Sequence, residues 1–209
     1  MPLLLEDDIR QRARRRAQTE RSSIDELLRR AAKRSCDRYD IFLSQTIRDA
    51  EIVLGVYDLL TEAGYSVFCD WIEAPLQDRH EVSPANAAYV RHVMGTCDTL
   101  LFIDGPGAAQ SLWMCWELGW FDGARGPVAI LPVTAEPKTY YFGREFLSLY
   151  PYVTLDEKGR LQVVRPAVPS PNGFMMIESP NWTAFETWKS GKRGMRPRIY
   201  GPWRGQRMG

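Results

Sequence analysis

Histidine is almost missing from this chain: His80 and His92 are the two among 209 residues. A His-based catalytic triad and a multi-His metal site are therefore not expected. Cysteine is scarce as well. Cys36, Cys69, Cys97 and Cys115 are scattered, with no CxxC pair and no metal-ligand spacing. Each lies in or near an apolar context, which reads as reduced thiols in a cytoplasmic protein. No apolar run approaches the roughly 18 residues needed to span a bilayer. The segment Met1-Pro2-Leu3-Leu4-Leu5-Glu6-Asp7-Asp8 meets acids at once and lacks the apolar core of a signal peptide. A formal net charge of +1 gives no global pull toward nucleic acid or an anionic membrane. There is no GxGxxG after the first predicted strand and no GxxxxGK followed by Ser or Thr, so neither a dinucleotide-binding glycine loop nor a P-loop is present. Gly105-Pro106-Gly107 is too short to be a phosphate loop, and the GxSxG nucleophile elbow is missing.

What is there reads as one main domain with extensions at both ends. Residues 1–37 form a basic, helical N-terminal extension. Ser23 with Glu26 fits a capping box, and Ile24, Leu27, Leu28 and Ala31 follow at helical spacing. The arginine-rich run from Arg10 to Arg16 reads as a solvated helix face, with partner docking as the sharper alternative. From residue 38 to 165, strands and helices alternate. Strands are predicted over 39–45, 65–71, 98–104, 126–133 and 150–155, with a short extra strand at 161–164. Helices are predicted from Asp49 to Gly64, from Ser83-Pro84 with Ala85, Ala88/Tyr89 and His92/Val93 as the apolar stripe, and from Ser111 to Gly119 or Gly123. This alternation calls for a doubly wound sheet of five parallel strands with helices on both faces. Residues 166–209 are rich in Pro, Gly, Arg and Trp and form an irregular C-terminal tail, in which Trp182, Phe185 and Trp188 are expected to pin a short helix onto the domain.

In such a sheet, ligands bind outside the carboxyl ends of the strands. That edge gathers Phe42, Ser44, Gln45, Asp49, Asp70, Trp71 and Asp104. It also receives the stretch Ser111-Leu112-Trp113-Met114-Cys115-Trp116-Glu117-Leu118-Gly119-Trp120-Phe121-Asp122-Gly123. Helical spacing brings Trp113, Trp116/Glu117 and Trp120 together, so Glu117 is expected between indole rings. A carboxylate in apolar surroundings is poorly solvated and its pKa rises. Such an acid has either a partner or a task. The structural alternative is an amphipathic helix whose tryptophans fill the core while Glu117 pairs with an arginine.

These residues together resemble the Toll/interleukin-1 receptor (TIR) domain. Tyr39-Asp40-Ile41-Phe42-Leu43-Ser44 is similar to the family's opening strand. Ser111, Trp113 and Glu117 match its serine, tryptophan and glutamate in type and spacing. The flanking Trp116–Gly123 and Val128–Val133 look most like bacterial TIR-like proteins of Thoeris-type antiphage systems. Met114 stands where many members carry cysteine, and residues 72–81 lack the Pro-Gly pair often found there. The resemblance implies a flavodoxin-like fold and cleavage of the nicotinamide–ribose bond of NAD, giving a cyclic ADP-ribose-type signal. On this reading Glu117 is catalytic, Trp113 holds its rotamer, Phe42 or Trp71 stacks on a ring of NAD, and Ser44, Gln45, Asp70 and Ser111 complete the site. NAD is the substrate, and neither cofactor nor metal is called for. Implied partners are a second copy of the domain and a downstream effector that senses the nucleotide product. The competing readings are a non-catalytic TIR adaptor and an enzyme like the nucleoside deoxyribosyltransferases.

Overall fold

The computed structural model describes residues 1–33, 36–46, 49–69, 83–105, 111–165, 168–169, 175–176 and 182–191. In chain order the elements are β1 (Leu4–Leu5), α1 (Glu6–Glu20), α2 (Ile24–Ala32), β2 (Tyr39–Ser44), α3 (Ala50–Glu62), β3 (Val67–Cys69), α4 (Pro84–Thr96), β4 (Cys97–Asp104), α5 (Leu112–Ala124), β5 (Val128–Thr134), β6 (Tyr152–Leu155), β7 (Leu161–Val164), β8 (Val168–Pro169), β9 (Met175–Met176), β10 (Trp182–Ala184) and α6 (Phe185–Ser190). A 3-10 turn over Glu145–Leu149 precedes β6, and β8 and β9 form a separate two-stranded ladder.

The main sheet runs β3-β2-β4-β5-β6-β7-β10. Its first five strands are parallel, as the alternation of elements requires. Their order by position in the chain is the flavodoxin-like one, and it reverses between β2 and β4. Beyond the predicted five, β7 and β10 extend the sheet antiparallel, and β1 pairs in parallel with the end of β5. Among the described residues no helix is long and apolar enough to cross a membrane.

The pleat of each strand sorts its side chains between two cores. Ile41, Leu43, Leu101, Ile103, Ala129 and Leu131 face α1, α2 and α3. Phe42, Leu100, Phe102, Val128 and Ile130 face α4 and α5. Four helix starts carry the side-chain caps their sequences advertise: Ser23, Asp49, Ser83 and Ser111 accept backbone N–H bonds from Glu26, Ile52, Asn86 and Met114. Gly64, at a φ of 94°, follows the end of α3 in the left-handed position glycine favours. Two predicted details change. Helix α5 runs through Gly119 and Gly123 to Ala124, and Gly126, at a φ of 104°, takes the left-handed position instead. In α4 the buried stripe is Val90, Val93 and Met94, while Tyr89 and His92 point outward.

The N-terminal segment is built into the domain. Ile9, Ala13, Leu27, Leu28 and Ala31 lie in the same core as α3 and the sheet. The arginine run is partly solvated, with Arg14 and Arg15 exposed, and most of it is paired with acids of α3 and its cap. Arg10 binds Asp49 and Glu51, Arg14 binds Glu51, Arg12 binds Glu62, and Arg16 binds Asp58. Asp58 is buried, which pushes its carboxyl above the usual aspartate range while Arg16 pulls the other way. At the other end, α6 seats a buried Phe185 against Tyr65 at 5.1 Å between centroids, and Lys189 bonds Asp40. Phe185 and Trp188 pin this helix as expected; Trp182 is 51% exposed in β10 and does not.

Helix α1 crosses α3 at Gly55, where an added Cβ would stand 2.2 Å from the Ile9 carbonyl oxygen. Alanine is the better helix former by about 1 kcal/mol, but here it meets backbone that has no rotamer to change. Gly55→Ala is therefore expected to lower the thermal midpoint, with an overpacking cost on the order of 1–3 kcal/mol. A raised midpoint in a calorimetric melt would show that α1 does not bear on α3 this way.

Candidate active site at the carboxyl edge of the sheet

Phe42 and Ser44 sit two residues apart on β2 and so share the face that α5 covers. On α5 the inward stripe is Met114, Glu117/Leu118 and Phe121, all buried. The two elements meet at one polar contact: the Ser44 hydroxyl donates to Glu117 Oε2 at 2.6 Å. Glu117 is 4% exposed and Ser44 1%. A carboxylate that deep needs donors, and the last residue of β2 provides one. Glu117 thus lies in the apolar inner stripe, and the three tryptophans form its flank. Trp113 and Trp116 are half-buried and packed at 4.8 Å between centroids, and the Arg91 guanidinium from α4 lies 6.0 Å from the Trp116 ring. Trp113 is one helical turn before Glu117 on α5.

The other expected residues fall into separate groups. Phe42 is 1% exposed and stacks on Phe68 at 5.5 Å, so its ring belongs to the floor of the site. Ser111 caps α5 by accepting the Met114 N–H at 3.3 Å, a structural duty at the rim. Gln45 is buried and lines a small cavity with Thr46, Asp49, Ile52, Val53, Ile103 and Gly105, on the α3 side of the same crevice. Asp49 caps α3 and is clasped by Arg10 at 2.5 Å, so it is committed to the fold. Asp70 and Trp71 lie outside the described residues.

Asp104 acquires partners that the sequence did not indicate. Its Oδ2 accepts from the Tyr141 hydroxyl at 2.8 Å and its Oδ1 from Arg144 at 2.6 Å. Burial, then the Asp104 carboxylate, pushes the Tyr141 phenol far above the ordinary tyrosine range. Local pattern could not foresee this, since the partners lie about forty residues downstream in an irregular segment. The contact between Ser44 and Glu117 was within reach of the sequence: period two along β2 puts Ser44 beneath the same helix as Phe42.

The larger hollow on the described surface is elsewhere, between α1 and α3, lined by Arg12, Arg15, Arg16, Glu20, Asp58 and Glu62 among others. Arg12 and Arg16 are already spent on its own acids, and it lies on the face of the sheet opposite Glu117. The strand-order reversal between β2 and β4 lies beside the buried Glu117, and it is at such a reversal that this class of sheet receives small molecules.

Ser44→Ala would leave the buried carboxylate short of a donor. The expected loss of folding stability is roughly 2 kcal/mol, read as a lowered urea midpoint at unchanged slope. An unshifted midpoint would mean that the hydroxyl contributes nothing to holding Glu117.

No family model matches the chain. Over 116 residues, 55% of this chain, it is 47% identical to the probable 3' cyclic ADP-D-ribose synthase ThsB' of Bacillus cereus (strain MSX-D12). The matched region spans 60% of the length of that curated relative. The chain is thus similar to a protein named for making a cyclic ADP-ribose, which is the kind of relative that a resemblance to Thoeris-type TIR proteins leads one to expect.

Proposed function

We propose that this protein cleaves the nicotinamide–ribose bond of NAD and releases a cyclic ADP-ribose-type signal in antiphage defence. The observation that carries the reading is the buried Glu117 held by Ser44 at the carboxyl edge of the sheet. The similarity to a probable 3' cyclic ADP-D-ribose synthase supports it. The chemistry suits a single acid. Nicotinamide leaves from a pyridinium that is already cationic, so the leaving group needs no proton. Its departure puts positive charge on the ribose ring, an oxocarbenium-like state of the kind met in glycoside hydrolysis. A carboxylate fixed beside that ring stabilises the charge as it develops, and it does so best where water is excluded and the group is already oriented.

Glu117 is the residue in that position. Ser44 orients it, and Trp113 narrows the mouth so that the ribosyl cation meets the adenosine half of its own molecule before bulk water. Attack by a nucleophile from that half closes a ring; attack by water gives linear ADP-ribose. NAD is consumed as substrate. The nucleotide product acts on a separate effector.

Glu117→Gln keeps an amide oxygen to accept from Ser44, so the fold is expected to survive while the charge is lost. Nicotinamide release, followed by chromatography and mass analysis of products from NAD, should fall by about a hundredfold or more, as for removal of an electrostatic group from a transition state. A rate equal to that of the unmodified protein would remove Glu117 from the chemistry. Nicotinamide release by neither protein would leave the adaptor reading.

Self-association belongs to the same proposal, because a cleft closed by a second copy wastes less intermediate to water. The rate per molecule is expected to rise with protein concentration in step with the dimer fraction seen by analytical ultracentrifugation. A specific rate that stays flat while the dimer forms would separate assembly from activity.

A further inference from the structure

The diphosphate of a dinucleotide carries most of its charge, and Glu117, Ser44 and Trp113 offer it nothing. The structure brings one guanidinium to the right level of the sheet. Ser44 pairs directly with Phe102 across β2 and β4, and Asp104 is the next residue of β4 on that face. With strands about 4.8 Å apart and about 3.3 Å per residue, the Cα of Asp104 stands roughly 8 Å from that of Ser44, further out toward the carboxyl rim. Arg144, bonded to Asp104 at 2.6 Å, occupies this rim on the α5 side of the sheet. A diphosphate on the 5′ carbon lies one ribose ring from the anomeric carbon, an offset of a size this spacing can accommodate.

The mounting of Arg144 is unusually firm. Both Asp104 oxygens are engaged, one by Arg144 and one by the Tyr141 hydroxyl, so the carboxylate cannot swing. At Gly143 an added Cβ would stand 2.5 Å from the Ser148 nitrogen. Glu145 holds a φ of 48°, left-handed backbone that residues other than glycine seldom adopt. Backbone strain of this sort gathers where a ligand is gripped. The Arg144 side chain is nevertheless 46% exposed. A guanidinium has five N–H donors in a planar fork, and Asp104 engages part of it. Arg10, Arg12 and Arg16, by contrast, are committed to acids at the start and along the length of α3.

We propose that Arg144 binds the diphosphate of the substrate, with Asp104 and Tyr141 as positioning residues. This assignment rests on the NAD reading for the identity of the dinucleotide. The diphosphate itself is the recognised chemistry, so nucleoside diphosphates are ligands of the same site. The planar fork matters, because it meets two phosphate oxygens at once where an ammonium meets one.

The test compares the full chain with Arg144→Gln and Arg144→Lys. Binding of ADP-ribose and of ADP is measured by calorimetry, and KM and kcat are measured by nicotinamide release from NAD. Arg144→Gln is expected to weaken ADP-ribose and ADP and to raise KM by about tenfold or more, with kcat little changed. Arg144→Lys should recover part of the affinity with an unchanged thermal midpoint, whereas a purely structural role for the Asp104 pair would lower kcat and the midpoint of Arg144→Gln together with its affinity. ADP binding that depends on Arg144 in a protein that leaves NAD intact would uphold the diphosphate site and sink the proposed reaction. NAD cleavage with one KM and one ADP-ribose affinity across all three proteins would uphold the reaction and overturn the role of Arg144. Should the glutamine variant melt early, the lysine variant decides alone: affinities equal to those of the unmodified protein for both ADP-ribose and ADP, together with an unchanged KM, overturn the proposal.

Discussion

The hydrogen bond from Ser44 to Glu117 is the one contact for which packing alone gives no reason. Every neighbour of that acid on the inner stripe of α5 is apolar, and a leucine or methionine there would stabilise the fold at least as well. Burying a carboxylate costs free energy that its hydrogen bonds must offset, and the Ser44 hydroxyl is one of these donors. The fold tolerates this because Met114, Leu118 and Phe121 seat α5 on the sheet independently of it. The acid is thereby held by a helix that does not need it and a strand end that stops beneath it.

Topology decides why such an acid can still be reached. Between β2 and β4 the chain turns from one direction of winding to the other, so the connections leaving these two strands diverge and leave a crevice. On one side of the sheet the crevice is closed. There α1 and α2 lie over α3, Gly55 lets two backbones touch, and the arginine run of α1 is neutralised by acids of α3 and its cap. On the side facing α5 lie Phe42 stacked on Phe68 and, on β4, Asp104 with Tyr141 and Arg144. The N-terminal segment therefore covers the face of the sheet opposite Glu117.

Much of this was legible in the sequence, and the misses have physical causes. The parallel strands are continuous apolar runs because both their faces are buried, and the helix starts declare themselves through Ser23, Asp49, Ser83 and Ser111. The acid in the tryptophan stretch stood out because nothing apolar about its surroundings asks for a charge. The arginines of α1 were misread because their acids lie some forty residues away, and local charge pattern cannot tell a solvated face from a paired one. The stripe of α4 was shifted by one position because Tyr89 is apolar enough to seem buried, yet its neighbour Val90 has the better shape for the interior. Strands as short as β1 and β10 have no period to read; they exist because an edge was available to pair with. Gly119 and Gly123 did not stop α5, since both are exposed, have open space around them and lose only about 1 kcal/mol each against alanine.

The proposed stabilisation of a cation without proton transfer sets particular requirements for the surroundings of Glu117. Its groups must not change charge as conditions vary, or the field at the ribose would vary with them. Tyr141 is held protonated by burial and by Asp104, and Asp104 has a donor on each oxygen. Ser44 has no charge to lose, and histidine, the side chain that titrates near neutrality, appears in the described structure only as the outward-facing His92. The scarcity of histidine that argues against a triad is compatible with the proposed chemistry, in which Glu117 supplies the acid and the neutral Ser44 hydroxyl orients it.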